Sequence, residues 1–188
     1  RIRFLMEVIK RIRPHRGADL NIKGKAEKRL ENTTSATTFA LNPDDFFGTI
    51  PKLICKEGAQ VEAGTPIFFS KKNPDIKFVS PVSGTITAVE RGPKRKIERI
   101  CIAASKTQKS VSHSVQGWEK MDREQLKALL MESGNWPFIH QRPYGIIANP
   151  DDTPKAIFVN TVKTNPLSED LRFVLKDDQK EFQLGIDL

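Results

Sequence analysis

Two cysteines, three histidines, one tyrosine and the lack of any long apolar run limit what this chain can do. Cys55 and Cys101 lie far apart in β-like runs and belong to no CxxC pair. That spacing argues against zinc or iron–sulfur ligation and reads as buried free thiols in a reducing compartment. His15, His113 and His140 are isolated, with no histidine or carboxylate at metal-ligand spacing. Neither a serine nucleophile elbow nor a Cys–His pairing is legible. A single tyrosine, and no basic run interleaved with aromatic residues, leaves no stacking platform for single-stranded nucleic acid. No apolar stretch approaches the roughly 20 residues that cross a bilayer. Residues 1–10 are no secretory signal, because their apolar stretch is too short and no small-residue cleavage site follows. Repeats of solenoid length are absent.

What remains is an ordinary folded composition, 38% hydrophobic and 29% charged over 188 residues, enough for one large or two small domains. The net charge is +8, from 31 basic and 23 acidic residues. Much of the excess sits at Arg1, Arg3, Lys10, Arg11, Arg13 and Arg16. With nucleic acid disfavoured, this reads as a solvated basic face suited to an anionic membrane surface or an acidic partner. Met6 reads as a candidate start, with residues 1–5 contributed by upstream sequence.

Organisation follows from turn chemistry. Residues 1–42 are irregular and basic, with short β candidates at 6–9 and 37–41. Asn42-Pro43-Asp44-Asp45 is a turn signal. Residues 46–104 then alternate short β runs with turns, including a polar hairpin tip at 71–75 and another turn at 91–95. Lys71 and Lys72 at the tip read as exposed turn lysines; a biotinyl lysine sits between methionines, and Ser70, Asn73 and Pro74 are not that. The order of parts resembles the barrel-sandwich (lipoyl/biotinyl-like) fold. Residues 106–116 are polar and Ser-rich, a linker or loop. After them the period changes: Asp122 and Gln125 form a near capping box, Leu126, Leu129 and Leu130 share a face, and Gly134 suits a helix C′ position. Residues 156–159 read as a compact apolar strand, and 167–188 as containing at least one helix. The expected class is α+β: residues 1–110 an N-terminal segment plus barrel-sandwich, residues 111–188 the truncated start of an α/β domain, and the whole an N-terminal piece of a longer polypeptide.

Several ordered strings carry a more specific resemblance. They are Gly17-Ala18-Asp19-Leu20-Asn21-Ile22 with Gly24; Lys71-Lys72-Asn73-Pro74; Ser80-Pro81-Val82-Ser83-Gly84; Arg91-Gly92-Pro93-Lys94-Arg95; and Glu132-Ser133-Gly134-Asn135-Trp136 followed by Arg142-Pro143. The run 156–159 followed by Thr164-Asn165-Pro166-Leu167 continues the series. Together they resemble the A subunit of the Na⁺-translocating NADH:quinone reductase and, more distantly, the C subunit of the Rnf electron-transport complex and the flavin subunit of respiratory complex I. The resemblance implies a peripheral subunit on the cytoplasmic face of the bacterial inner membrane. Its complex oxidises NADH, reduces a quinone such as ubiquinone and exports Na⁺, with flavins and iron–sulfur centres in partner subunits. Flavin-binding relatives place a glycine-rich loop where this chain has residues 135–143, whose bulky side chains and two prolines remove space and donors. Acidic cofactor contacts are likewise replaced by Val162-Lys163-Thr164-Asn165. The expectation is therefore no FMN in this chain.

The candidate quinone-proximal residues are Trp136, Phe138, His140, Arg142 and Tyr144, three aromatic walls with donors for quinone carbonyl oxygens. The competing reading makes Trp136 and Phe138 a seal between helix and sheet. Asp44-Asp45-Phe46-Phe47 is a second candidate, alternatively the beginning of the barrel core. At the level of the whole chain, a redox role competes with that of a non-catalytic docking module in an Rnf-like membrane complex.

Overall fold

The computed structural model describes residues 23–24, 27–31, 36–161, 163, 165 and 168–188. The expected strand at 6–9, the N-terminal basic cluster, His15, the 17–22 string, Val162 and Thr164 lie outside the described residues.

Seven strands build the first half: β1 (Thr38–Leu41), β2 (Pro51–Leu53), β3 (Gln60–Val61), β4 (Pro66–Ser70), β5 (Lys77–Val79), β6 (Gly84–Arg91) and β7 (Ile97–Ala104). They pair antiparallel into a four-stranded sheet, order β1-β7-β6-β3, and a three-stranded sheet, order β2-β4-β5. β1 pairs along β7 from Thr38 opposite Ala103 to Leu41 opposite Ile100, so the barrel begins earlier than the expected residue 46. Ile67, Phe68, Phe78, Ile86, Ile100 and Ile102 are almost fully buried and form one core between the sheets. Phe68 stacks on Phe78 at 4.4 Å between ring centroids.

The β6–β7 pairing shows how a local irregularity serves the core. Ile86 faces Ile102 and Val89 faces Ile100, although one pair is three residues apart and the other two. A strand alternates faces with period two, so an unbroken β6 would turn one of its apolar residues outward. The register shift between Ile86 and Ala88 absorbs the extra residue and keeps both inside. Gly84 opens this strand because a Cβ there would lie 2.0 Å from the Ala103 carbonyl oxygen.

The polar stretch after β7 is a loop, but a bound one. Buried Ser83 donates its hydroxyl to the Lys109 carbonyl and accepts from the Lys109 N–H at 2.8 Å. The Gln108 side chain accepts from Ser83 N–H at 2.8 Å and donates to the Ser105 carbonyl at 2.7 Å. Ala63 N–H donates to the Lys109 carbonyl, and Val111 N–H donates to the Ala63 carbonyl. Short polar side chains thus supply partners for backbone groups that the barrel ends leave unpaired.

α1 (Arg123–Glu132) starts at the expected capping box, with Gln125 N–H donating to Asp122 Oδ1 at 2.8 Å and Asp122 N–H donating to Gln125 Oε1 at 3.0 Å. It stops at Gly134, whose φ of +76° is left-handed. A 3-10 turn at Trp136–Phe138 leads into the hairpin of β8 (His140–Gln141) and β9 (Ile146–Ile147). α2 (Leu171–Val174) and α3 (Gln179–Asp187) supply the expected helical content near the end. The expected strand at 156–159 does not form: Ile157, Phe158 and Val159 are exposed, Phe158 at 89%, and pair with no strand among the described residues. A strand exists only with a ladder partner, and β-branched composition does not provide one.

Gly134 is fixed twice over, since a Cβ there would lie 2.6 Å from both Val79 methyl groups. Gly134→Ala is expected to destabilise the protein by more than about 1 kcal/mol, from left-handed strain plus overpacking. Val79→Ala in the same chain should recover the overpacking part only. Urea unfolding of the two single variants and the double variant measures this; strictly additive effects would refute the contact.

Candidate functional site: an aromatic face on the barrel

The candidate segment is carried on the barrel by its first aromatic residue. Trp136 is 8% exposed and belongs to the same core as Phe78 and Ile102. Its indole Nε1–H donates to the Ala148 carbonyl at 2.8 Å. Ala148 N–H donates back to the Ile139 carbonyl at 2.8 Å, and Ile139 N–H donates to the Trp136 carbonyl at 3.0 Å. Pro137, also buried, presets the turn between them. The strand pairs His140 opposite Ile147 and Gln141 opposite Ile146 extend this anchor into the hairpin.

Beyond Trp136 the side chains face outward. Phe138 is 72% and Tyr144 77% exposed; His140 and Arg142 are exposed as well. Arg142 and Tyr144 sit in the hairpin tip, which Gly145 N–H closes onto the Gln141 carbonyl at 3.0 Å. Arg142 makes no ion pair among the described residues. The five residues named from the sequence therefore divide into one buried anchor and four exposed groups. The seal reading holds for Trp136 and not for Phe138.

The second sequence candidate joins the first. The Phe138 ring lies 6.2 Å from Phe46, and Phe46 lies 4.6 Å from Phe78, both edge-on. With Phe68 behind Phe78, four aromatic rings run from the surface into the core. Phe46 is half-buried, as the core reading of that segment required, while Phe47 is exposed. Gly48 approaches Ile146 of β9, so the loop carrying Phe47 lies beside the hairpin. The Lys96–Asp44 ion pair, 2.6 Å, ties the preceding turn to the start of β7. No local signal in the sequence joins residues 46–48 to 138–146; only the fold brings them together.

Chemically, Phe47, Phe138 and Tyr144 offer flat apolar surface, and Arg142, His140 and the Tyr144 hydroxyl offer donors. The face is open. It suits one wall of a site that a further surface completes. The cysteines lie elsewhere and are poorly nucleophilic. Burial pushes the Cys55 thiol up; burial, then the Glu90 carboxylate that Cys101 Sγ meets at 3.7 Å, push the Cys101 thiol up against a smaller opposing effect of Arg99.

Stability separates anchor from face. Trp136→Phe leaves the Ala148 carbonyl without its donor and is expected to cost about 1–3 kcal/mol, and Trp136→Ala about 3–5 kcal/mol. Phe138→Ala and Tyr144→Ala should change stability by no more than about 0.5 kcal/mol. Thermal or urea unfolding checks both, and a large loss on removing Phe138 would make it a structural residue.

Comparison with known proteins agrees with this architecture. A family model described as the NqrA N-terminal barrel-sandwich hybrid domain matches residues 12–105, and one described as the NqrA second alpha/beta domain matches residues 121–188. The A subunit of the Na(+)-translocating NADH-quinone reductase of Histophilus somni is 34% identical over 173 residues, 91% of this chain and 39% of that protein. The protein of the same name from Alcanivorax borkumensis is 31% identical over 178 residues, 93% of this chain and 40% of its own length. That of Haemophilus influenzae is 33% identical over 173 residues, with 91% and 39% covered. The chain thus spans about two fifths of the length of the curated relatives it matches. Half of the chain matches the first family model, the second model follows in the same order, and the chain belongs to the NqrA family, the A subunits of the Na⁺-translocating NADH-quinone reductases.

Proposed function

We propose that this chain works as part of a peripheral, quinone-proximal subunit of a complex that couples NADH oxidation and quinone reduction to Na⁺ export. Its partners are the other reductase subunits, which carry the flavins and iron–sulfur centres, and it sits on the cytoplasmic face of the bacterial inner membrane. Its membrane contact is proposed to run through those partners; among the described residues no helix is long and apolar enough to cross a membrane. The observation that carries the reading is the exposure of Phe138, Tyr144 and Arg142, the last without an ion pair among the described residues, on a segment anchored by buried Trp136. A quinone ring stacks on such a face while Arg142 or His140 donates to a carbonyl oxygen.

The chain is proposed to hold no FMN itself. A phosphate-binding loop needs free backbone N–H groups and close approach. Around the corresponding turn the N–H groups of Gly134, Asn135, Phe138 and Ile139 are all spent on internal carbonyls, and Pro137 has none. Trp136 at this turn is buried in the core, a bulky side chain where a phosphate loop needs glycine.

A docking role without quinone contact is favoured by one feature, the openness of the face. The two readings separate in the assembled complex. Arg142→Ala is expected to leave NADH oxidation by an artificial acceptor intact, because that chemistry belongs to a different partner. It should weaken quinone affinity about ten- to a hundredfold, the loss of one charge-assisted hydrogen bond. Arg142→Lys, which keeps the charge without the planar fork, should recover part of it. Unchanged quinone half-saturation and Na⁺ transport in Arg142→Ala would favour docking alone.

A further inference from the structure

The outer face of the three-stranded sheet carries a second feature, separate from the aromatic face. Lys52, Phe69 and Lys77 are register partners, Lys52 opposite Phe69 on β2–β4 and Phe69 opposite Lys77 on β4–β5. Directly paired residues point to the same side of a sheet, so the three form one row across all three strands. The neighbours of Phe69 along β4, Phe68 and Ser70, are buried, which puts Phe69 on the outside. Lys52 Nζ stands 5.6 Å from the Phe69 ring centroid. Ile50, Pro51, Lys52, Phe69, Lys71 and Pro74 line a shallow groove, and Lys71 N–H bonds the Ile50 carbonyl at 2.8 Å to close its end. Lys72 lies at the same hairpin tip. Lys52, Lys71, Lys72 and Lys77 share with most of the described lysines the absence of an ion pair; what sets them apart is place, Lys52 and Lys71 lining the groove and Lys77 standing in the Phe69 row.

We infer that this groove docks an acidic, extended segment of a partner polypeptide, with an apolar side chain of that segment resting on Phe69 and Ile50. The argument is charge complementarity. Lys52 and Lys71 line a floor of Ile50, Pro51, Phe69 and Pro74, Lys77 stands opposite Phe69, Lys72 adjoins Lys71, and Asp75 is the one acidic residue of the 71–75 hairpin tip. Lysines on the edge strands β2 and β5 also deter unwanted strand pairing, but that role needs no aromatic residue between them. A half-buried Phe69 in the floor favours a narrow chain that enters the groove over a flat bilayer surface, which would meet the lysines first. Electrostatic attraction at exposed lysines is weak per pair and screened by salt, so the interaction is tunable and its register is set by the apolar contact.

The test titrates the full-length protein with a labelled extended peptide that alternates glutamate with leucine, and with the same peptide carrying glutamine for glutamate. The expected result is saturable binding of the acidic peptide alone, weakened by salt. Lys52→Gln with Lys77→Gln should reduce affinity about two- to thirtyfold. Lys94→Gln with Lys106→Gln, equal in charge but outside the groove, should leave affinity unchanged. Acetylation footprinting of the unmodified protein should show Lys52, Lys71, Lys72 and Lys77 protected by the peptide, a readout that does not depend on any variant folding. Absence of saturable binding, equal weakening by both double variants, or protection of other lysines overturns the inference. So does binding to phosphatidylserine vesicles that needs Lys52 and Lys77 while the acidic peptide fails to bind, which would make the face a membrane contact.

Discussion

One indole holds the two halves of this structure together. Trp136 has its ring in the barrel core and its N–H on the Ala148 carbonyl, so the barrel, the end of α1 and the β8–β9 hairpin share a single packed junction. Gly134 makes the junction possible, because any side chain there meets Val79. A large aromatic ring at such a place contributes on the order of several kcal/mol, against a total stability of about 5–15 kcal/mol for a domain. The exposed side chains of Phe138, Arg142 and Tyr144, which follow Trp136, carry little of that stability.

The same logic explains the aromatic line from Phe68 to Phe138. Inner members are fixed by the core, and the outer one projects into solvent from a rigid base. Ordering a side chain at an interface costs conformational entropy at the moment of binding; mounting it on a hairpin whose own bonds are complete reduces that cost in advance. The exposed aromatic residues and the lysine-lined groove are two chemically different surfaces, one aromatic with donors and one cationic.

Much of this was legible in the sequence because it is local. The Asp122–Gln125 capping box, the left-handed Gly134, the 71–75 hairpin tip and the strand at the end of the barrel all follow from spacing and turn chemistry, and the structure has them. The strand expected at 37–41 is there as β1, but its place in the barrel and the bound loop at 105–111 were less legible, since both are defined by partners distant in sequence: β7 in one case, Ser83 and Ala63 in the other. The strand expected at 156–159 failed for the opposite reason. Its composition is right, and its partners are missing from the described residues. At the candidate site, five residues stood together in the sequence, but their division into anchor and face depends on burial. Their meeting with residues 46–48 depends on the fold alone.

The central claim is that residues 134–148 are part of the barrel's cooperative core and not a loosely attached flap. Amide and indole hydrogen exchange measures this directly, because buried hydrogen bonds open only with the unit to which they belong. The Trp136 indole N–H and the backbone N–H groups of Ile139 and Ala148 are expected to exchange as slowly as those of Ile100 and Ile102, on the scale of global unfolding. Exchange at these positions as fast as in the exposed run of residues 156–161, with the barrel strands still protected, would contradict the account.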